Sequence, residues 1–263
     1  MTIRRRGGEI LGALVLVLAG AAPAAAAEQY VALGDSYSSG TGTRSYYDSG
    51  CQRSNYSYAE IIDDERPNTT VDLVACSGAK TGDVLAKQVS ALSRSTRWAS
   101  ITIGGNDAGF SGVITSCALP SWASNCDAKI DAAQTYIRNT LPGKLASVYS
   151  AIRSRAPNAT VVVLSYPRLF MGEDCNAGTF FGSGEMTRMN QTADLLRDRI
   201  RAAAQAQGSR FVFKDAIGSF TGHAVCSSAA WLNGLSSPIG ESYHPNRSGH
   251  RSGYAPLVRS VTG

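Results

Sequence analysis

Four short polar turns carry the residue types that could do chemistry. The stretch "VALGDSYSSG" (31–40) runs from an apolar strand into small polar residues and presents three serines, Ser36, Ser38 and Ser39. "CSGAKTGD" (76–83) contributes Gly78, "IGGND" (103–107) contributes Asn106, and "ESYHPN" (241–246) contributes His244. Acyl transfer requires a hydroxyl nucleophile, a base that takes its proton, and donors for the oxyanion. A serine, an imidazole and a side-chain amide match those needs. A glycine in the second turn lets a backbone N–H approach a substrate closely. The first turn is not the G-x-S-x-G elbow of the α/β-hydrolases, so that fold is not implied.

These turns need strands behind them. Apolar, β-rich runs at 30–34, 70–76, 98–105, 159–167 and 210–216 read as five strands. Helical patterns lie at 57–66 (Ser57 as cap), 83–92, 127–155 (broken near Pro142), 190–208 (stopped by Gly208) and 246–261 (interrupted by Pro256). The first, second and fourth strands are nearly continuous apolar runs, the pattern of strands covered on both faces. Strand–helix alternation predicts an α/β doubly wound fold: a three-layer, flavodoxin-like sandwich on a central parallel five-stranded sheet. Ligands in such sheets bind beyond the carboxyl ends of the strands, where three of the four turns fall. The segments 109–126 and 168–188 read as long loops bordering a cleft.

With 263 residues, 43% hydrophobic and 17% charged, the chain suits one globular domain. Residues 1–27 combine Arg4, Arg5 and Arg6, the short apolar run "LGALVLVLAG" and the tract "AAPAAAA", which predicts a secretory signal cleaved within 24–27. The tandem arginines invite a twin-arginine reading, but their neighbours fit the general secretory route better. Residues 28–263 form the single remaining domain. Without the signal the net charge falls from +5 to about +3, too mild for a nucleic-acid partner, and no basic run is interleaved with aromatics. In an exported chain six cysteines (Cys51, Cys76, Cys117, Cys126, Cys175, Cys226) imply disulfides. Spacing leaves 15 pairings open, of which sequential pairing is the simplest. No C-x-x-C pair or suitably spaced histidine supports a metal site.

The four turns, in this order, resemble the blocks of the SGNH (GDSL-type) hydrolases, and the form "GDSYSSG" with secretion and six cysteines is most similar to the secreted actinomycete lipases and esterases. The resemblance implies Ser36 as nucleophile and His244 as base. It also implies an oxyanion hole from the Ser36 N–H, the Gly78 N–H and the Asn106 amide, and pairs 51–76, 117–126 and 175–226. Ser38 and Ser39 are left to turn and cap hydrogen bonds, and Asp35 to bracing the turn. His223 is read as a residue of a disulfide-tied loop, and His250 as facing solvent or packing on a helix. The family's usual aspartate three residues before the histidine is replaced here by Glu241. Either Glu241 or the backbone carbonyl of Ser242 then orients His244.

The function implied is hydrolysis of carboxylic esters, fatty acyl esters of lipids and phospholipids foremost, through an acyl-serine. Carbohydrate deacetylation on the same fold is the alternative, and a non-catalytic acyl- or sugar-binding protein a third reading. That chemistry calls for no cofactor and no metal. The expected partners are an ester substrate and a transient lipid surface, for a chain acting as a monomer outside the cell. Tyr37, Trp98, Phe110, Trp122, Phe180, Phe181 and Trp231 are candidates to line an acyl channel.

Overall fold

A computed structural model describes residues 1–2 and 27–263; the proposed secretory signal lies almost wholly outside the described residues. Five strands form one sheet: β1 (Glu28–Gly34), β2 (Thr69–Leu73), β3 (Thr96–Thr102), β4 (Thr160–Leu164) and β5 (Phe211–Lys214). They lie in the order β2-β1-β3-β4-β5 and every pairing is parallel. Tyr30–Leu33, Ile101 and Val161–Leu164 are buried and form the centre of the core. β2 departs from the continuous apolar pattern. It is an edge strand whose residues alternate between water and the core, and the apolar Val74 and Ala75 follow it.

Helices cover both faces. On one face α2 (Tyr58–Glu65), capped by the Ser57 hydroxyl, packs against α9 (Ala255–Thr262), the helix that follows the one-turn α8 (Ala216–Ser219) in the chain. On the other lie α5 (Cys126–Asn139), α6 (Leu141–Arg155) and α7 (Ser183–Gln205), which pack on one another. Pro142 falls in the first turn of α6, where its missing N–H costs nothing, so the helical run 127–155 is two helices. The run 83–92 is irregular: one turn of α3 (Thr81–Asp83), then a π turn (Val84–Gln88) and a 3₁₀ turn (Val89–Ala91). α7 begins seven residues earlier than the pattern suggests, and the tail is a π turn (Gly249–Tyr254) leading into α9, with Pro256 in its first turn. The segment 109–126, read as a loop, contains the helix α4 (Phe110–Cys117).

The strand order reverses between β1 and β3: β1 is followed leftward by β2, whereas β3 leads rightward to β4. The carboxyl ends of β1 and β3 therefore flank the switch point at which doubly wound sheets bind ligands. Three disulfides close on the described chain, Cys51–Cys76, Cys117–Cys126 and Cys175–Cys226. Each adds about 2–4 kcal/mol in the chain-entropy model. Among the described residues no helix is long and apolar enough to cross a membrane.

Candidate active site

Ser36 opens the one-turn helix α1 (Ser36–Ser39) immediately beyond β1. The turn depends on Gly34. Its φ is +122°, and a Cβ there would lie 2.3 Å from the Thr102 carbonyl oxygen, so only glycine fits. Asp35 caps the helix by accepting the Tyr37 N–H at 3.1 Å. Ser36 keeps 6% of its surface exposed, whereas Ser38 and Ser39 have none. Ser38 is spent on the fold, bonded to the Tyr58 hydroxyl and to Thr102 Oγ1, each at 2.8 Å. Of the three serines Ser36 alone lines the cleft above the sheet.

The His244 ring stands over Ser36. Its Nε2 lies 2.8 Å from Ser36 Oγ and its Nδ1 lies 2.9 Å from the Ser242 carbonyl oxygen. A carbonyl can only accept, so Nδ1 carries the proton and Nε2 presents its lone pair to the serine hydroxyl. That is the tautomer a general base needs. Burial holds the imidazole pKa down to about 4, opposed by the hydrogen bond to Ser242. Tyr37 couples the serine turn to the histidine turn: its hydroxyl donates at 2.6 Å to the Tyr243 carbonyl, and its ring packs 5.2 Å from the imidazole. Tyr243 itself has φ +60°, an unfavourable conformation for a non-glycine residue that its surroundings must maintain.

Glu241 does not reach the histidine. Its buried carboxylate accepts the Tyr46 hydroxyl at 2.7 Å and lies 3.6 Å from Arg44. It pins the loop that follows α1, and of the two orienting groups considered, the Ser242 carbonyl is the one within hydrogen-bond distance.

Asn106 follows β3 across the switch point, and its side chain lines the same cleft. Its Nδ2 donates at 3.0 Å to the Ala79 carbonyl, which ties it to the turn holding Gly78. Gly78 has φ +80° with open space where a Cβ would stand. As the first residue of α1, Ser36 has an N–H with no acceptor inside the helix. Tyr166, which the sequence does not single out, connects the two sides. Its hydroxyl donates to Asp35 Oδ2 and accepts the Gly105 N–H at 3.2 Å, so one phenol braces the residues preceding Ser36 and Asn106. Thr102 Oγ1 donates to the other Asp35 oxygen at 2.9 Å. Burial raises the Asp35 pKa to about 6, partly offset by the hydrogen bonds from Tyr166, Thr102 and the Tyr37 N–H.

The other histidines are elsewhere. His223 stacks on Trp231 at 3.6 Å and bonds the Ala229 carbonyl. His250 does not face solvent: it is fully buried beside Tyr58 and Tyr254, and neither ring nitrogen finds a hydrogen-bond partner among the described residues. Of the aromatic candidates, Tyr37 and Phe110 line the cleft. Trp98 lies near the amino end of the central strand β3, by Glu28 and Arg97, Trp231 packs on Phe220, and Phe181 is buried against Phe170. The cleft holds about 450 Å³ and runs from Ser36 between α4, α5 and α7, past side chains such as Val113, Ile114, Ile137, Met189 and Leu196. No group of three or more metal-ligating side chains gathers among the described residues.

Residues 32–252 match the model of the GDSL-like Lipase/Acylhydrolase family. Lipase 1 of Streptomyces coelicolor is 45% identical over 245 residues, covering 92% of this chain and 89% of that protein. The crystal structure of an extracellular lipase from Streptomyces rimosus superposes with a TM-score of 0.83 at 44% identity, over 89% of this chain and all of that one. That of phospholipase A1 from Streptomyces albidoflavus NA297 gives 0.83 at 45%, over 89% and 99%.

Proposed function

The chain belongs to the GDSL-like lipase/acylhydrolase family and is a carboxylic ester hydrolase; we propose that it is secreted and cleaves fatty acyl esters, phospholipids included, through an acyl-serine at Ser36. The observation that carries this reading is the line Ser242 O–His244–Ser36 Oγ at the head of a long apolar cleft. His244 Nε2 takes the hydroxyl proton as Ser36 Oγ attacks the ester carbonyl. The Ser36 and Gly78 N–H groups and the Asn106 amide receive the oxyanion. The same imidazole returns the proton to the leaving alcohol, and water then releases the acid.

The cleft supports a fatty acyl group over acetate. Each methylene buried there gains about 0.8 kcal/mol, and 450 Å³ lies within the range of ligand sites. The lipases and the phospholipase A1 among the similar proteins support the same substrate class. Secretion is supported by the pattern of residues 1–27 and by the three disulfides.

The test is hydrolysis of p-nitrophenyl esters from acetyl to palmitoyl by wild type and Ser36→Ala. A maximum at medium or long chains that vanishes in the variant is expected. A maximum confined to acetyl would move the assignment to carbohydrate deacetylation.

A further inference from the structure

Charge is missing from the segments that frame the cleft mouth. Of the whole chain 17% is charged, yet residues 108–126, 175–184 and 216–240 contain no Asp, Glu, Lys or Arg. The first charged residue at either end of each segment is acidic: Asp107 and Asp127, Asp174 and Glu185, Asp215 and Glu241. These segments also supply the outer wall of the cleft, through Leu119, Gly178, Leu235 and Ile239 among others.

The same segments expose large apolar side chains. Trp122 is 88% exposed, Ile239 71% and Phe180 56%, and Leu119 and Leu235 are exposed as well. Apolar side chains scattered singly over a surface need no explanation, but a contiguous group marks an interaction site. Here Leu119, Leu235 and Ile239 share one cleft, and the Gly178 backbone approaches the Leu235 side chain. Trp122 and Phe180 are outside the cleft lining, three residues and one residue along the chain from the lining residues Leu119 and Thr179. The framework is fixed in advance. Cys117–Cys126 closes the first segment on itself, and Cys175–Cys226 ties the second to the third.

We infer that this collar is a docking surface for an electrically neutral or zwitterionic lipid surface, held by apolar insertion and not by charge. The inference rests on the esterase reading, because the collar is continuous with the cleft that ends at Ser36. A lipid lying against it delivers an acyl chain into the cleft without crossing water. Adsorption to anionic lipid draws on clustered Lys and Arg, and the collar offers none. Trp122, the most exposed of the large side chains in these segments, suits the headgroup level of a bilayer.

The experiment uses the Ser36→Ala protein, which leaves the lipid intact, with sedimentation of extruded phosphatidylcholine vesicles with and without added anionic lipid. Binding to pure phosphatidylcholine is expected. It should persist when salt rises from about 0.1 to about 1 M, which shortens the Debye length from about 10 to about 3 Å. Added anionic lipid should not strengthen it. Trp122→Ser and Phe180→Ser, placed in that background, should each weaken it about tenfold, or about 1.4 kcal/mol. In the active enzyme both should leave hydrolysis of dissolved p-nitrophenyl acetate unchanged. No sedimentation with phosphatidylcholine, sedimentation only with anionic lipid, loss in high salt, or binding by both variants as tight as that of the Ser36→Ala parent would each overturn the inference. If wild type cleaves dissolved esters while the vesicles fail to bind, docking falls and the esterase reading stands. If no ester is cleaved, the esterase reading itself falls.

Discussion

Glu241 and His244, three residues apart in sequence, face different partners. The carboxylate accepts the Tyr46 hydroxyl at 2.7 Å, while the imidazole Nδ1 donates to the Ser242 carbonyl at 2.9 Å. The buried acid is thus occupied in holding the loop after α1. A backbone carbonyl fixes the histidine tautomer without placing a second charge beside it.

Glu241→Gln should therefore retain most activity. Its amide oxygen can still accept the Tyr46 hydroxyl, and the loss expected is a stability change of about 1 kcal/mol. An orienting acid of a triad is worth up to about 10⁴ in kcat. A loss of that size in steady-state hydrolysis of a dissolved ester would place Glu241 in the catalytic line after all.

The acid limb of kcat/KM should lie well below pH 6.5. In the proposed mechanism His244 acts in its neutral form, and burial lowers its pKa to about 4. The imidazole therefore stays competent as pH falls through the range in which a free histidine would protonate. A pH–rate profile on a dissolved ester reads the free-enzyme value directly. Half-maximal activity at or above 6.5 would contradict the desolvated, carbonyl-bound histidine.

Tyr166→Phe should lower kcat about 10- to 100-fold with KM changed by less than about twofold, since removing one oxyanion-hole donor costs about 10²–10³ and this substitution only loosens the placement of the proposed donors. The hydroxyl ties Asp35 to the Gly105 N–H and so sets Ser36 against Asn106. A uniform fall in folded fraction with kcat per folded molecule intact would reduce Tyr166 to a stability residue.

Much of this arrangement is legible in sequence because it is local. The apolar run of β1 ends at Gly34, Ser57 caps α2, and Pro142 marks the start of α6. α4 escapes such a reading because its residues carry no charged face and glycines lie at 109 and 112. The edge position of β2 depends on strand order, which is a property of the whole sheet. The Tyr166–Asp35 bond spans 131 residues, and the Tyr46–Glu241 bond spans 195, so no local spacing announces either. The burial of His250 is hidden for the same reason, since Tyr58 covers it from α2.

His250 makes a separate prediction about acid stability. Burial lowers its pKa to about 3, with His244 adding to the shift. Below about pH 6.5 the unfolded chain takes up a proton at this position and the folded chain does not. Stability thus falls by about 1.4 kcal/mol per pH unit from this one group until pH nears its folded value. His244 acts in the same direction down to about 4. Asp35, raised to about 6, acts oppositely: its contribution is fully present below pH 3.8 and is lost as pH rises through 6. Among these three groups the two histidines outweigh Asp35, which gives a decline between pH 6 and pH 4. Denaturant titrations should show a shallower decline for His250→Phe, by about 1.4 kcal/mol per unit. Parallel declines for the two proteins would mean that His250 titrates normally in the fold.

The central claim is that Ser36 is a nucleophile activated by His244, and covalent labelling tests it most directly. The protein is treated with a serine-reactive alkyl phosphonate, and the adduct is mapped by peptide mass spectrometry. One adduct on the peptide carrying Ser36, slowed by orders of magnitude in His244→Ala and absent in Ser36→Ala, is the predicted result. Labelling of another serine, or labelling at Ser36 that is indifferent to His244, would contradict it.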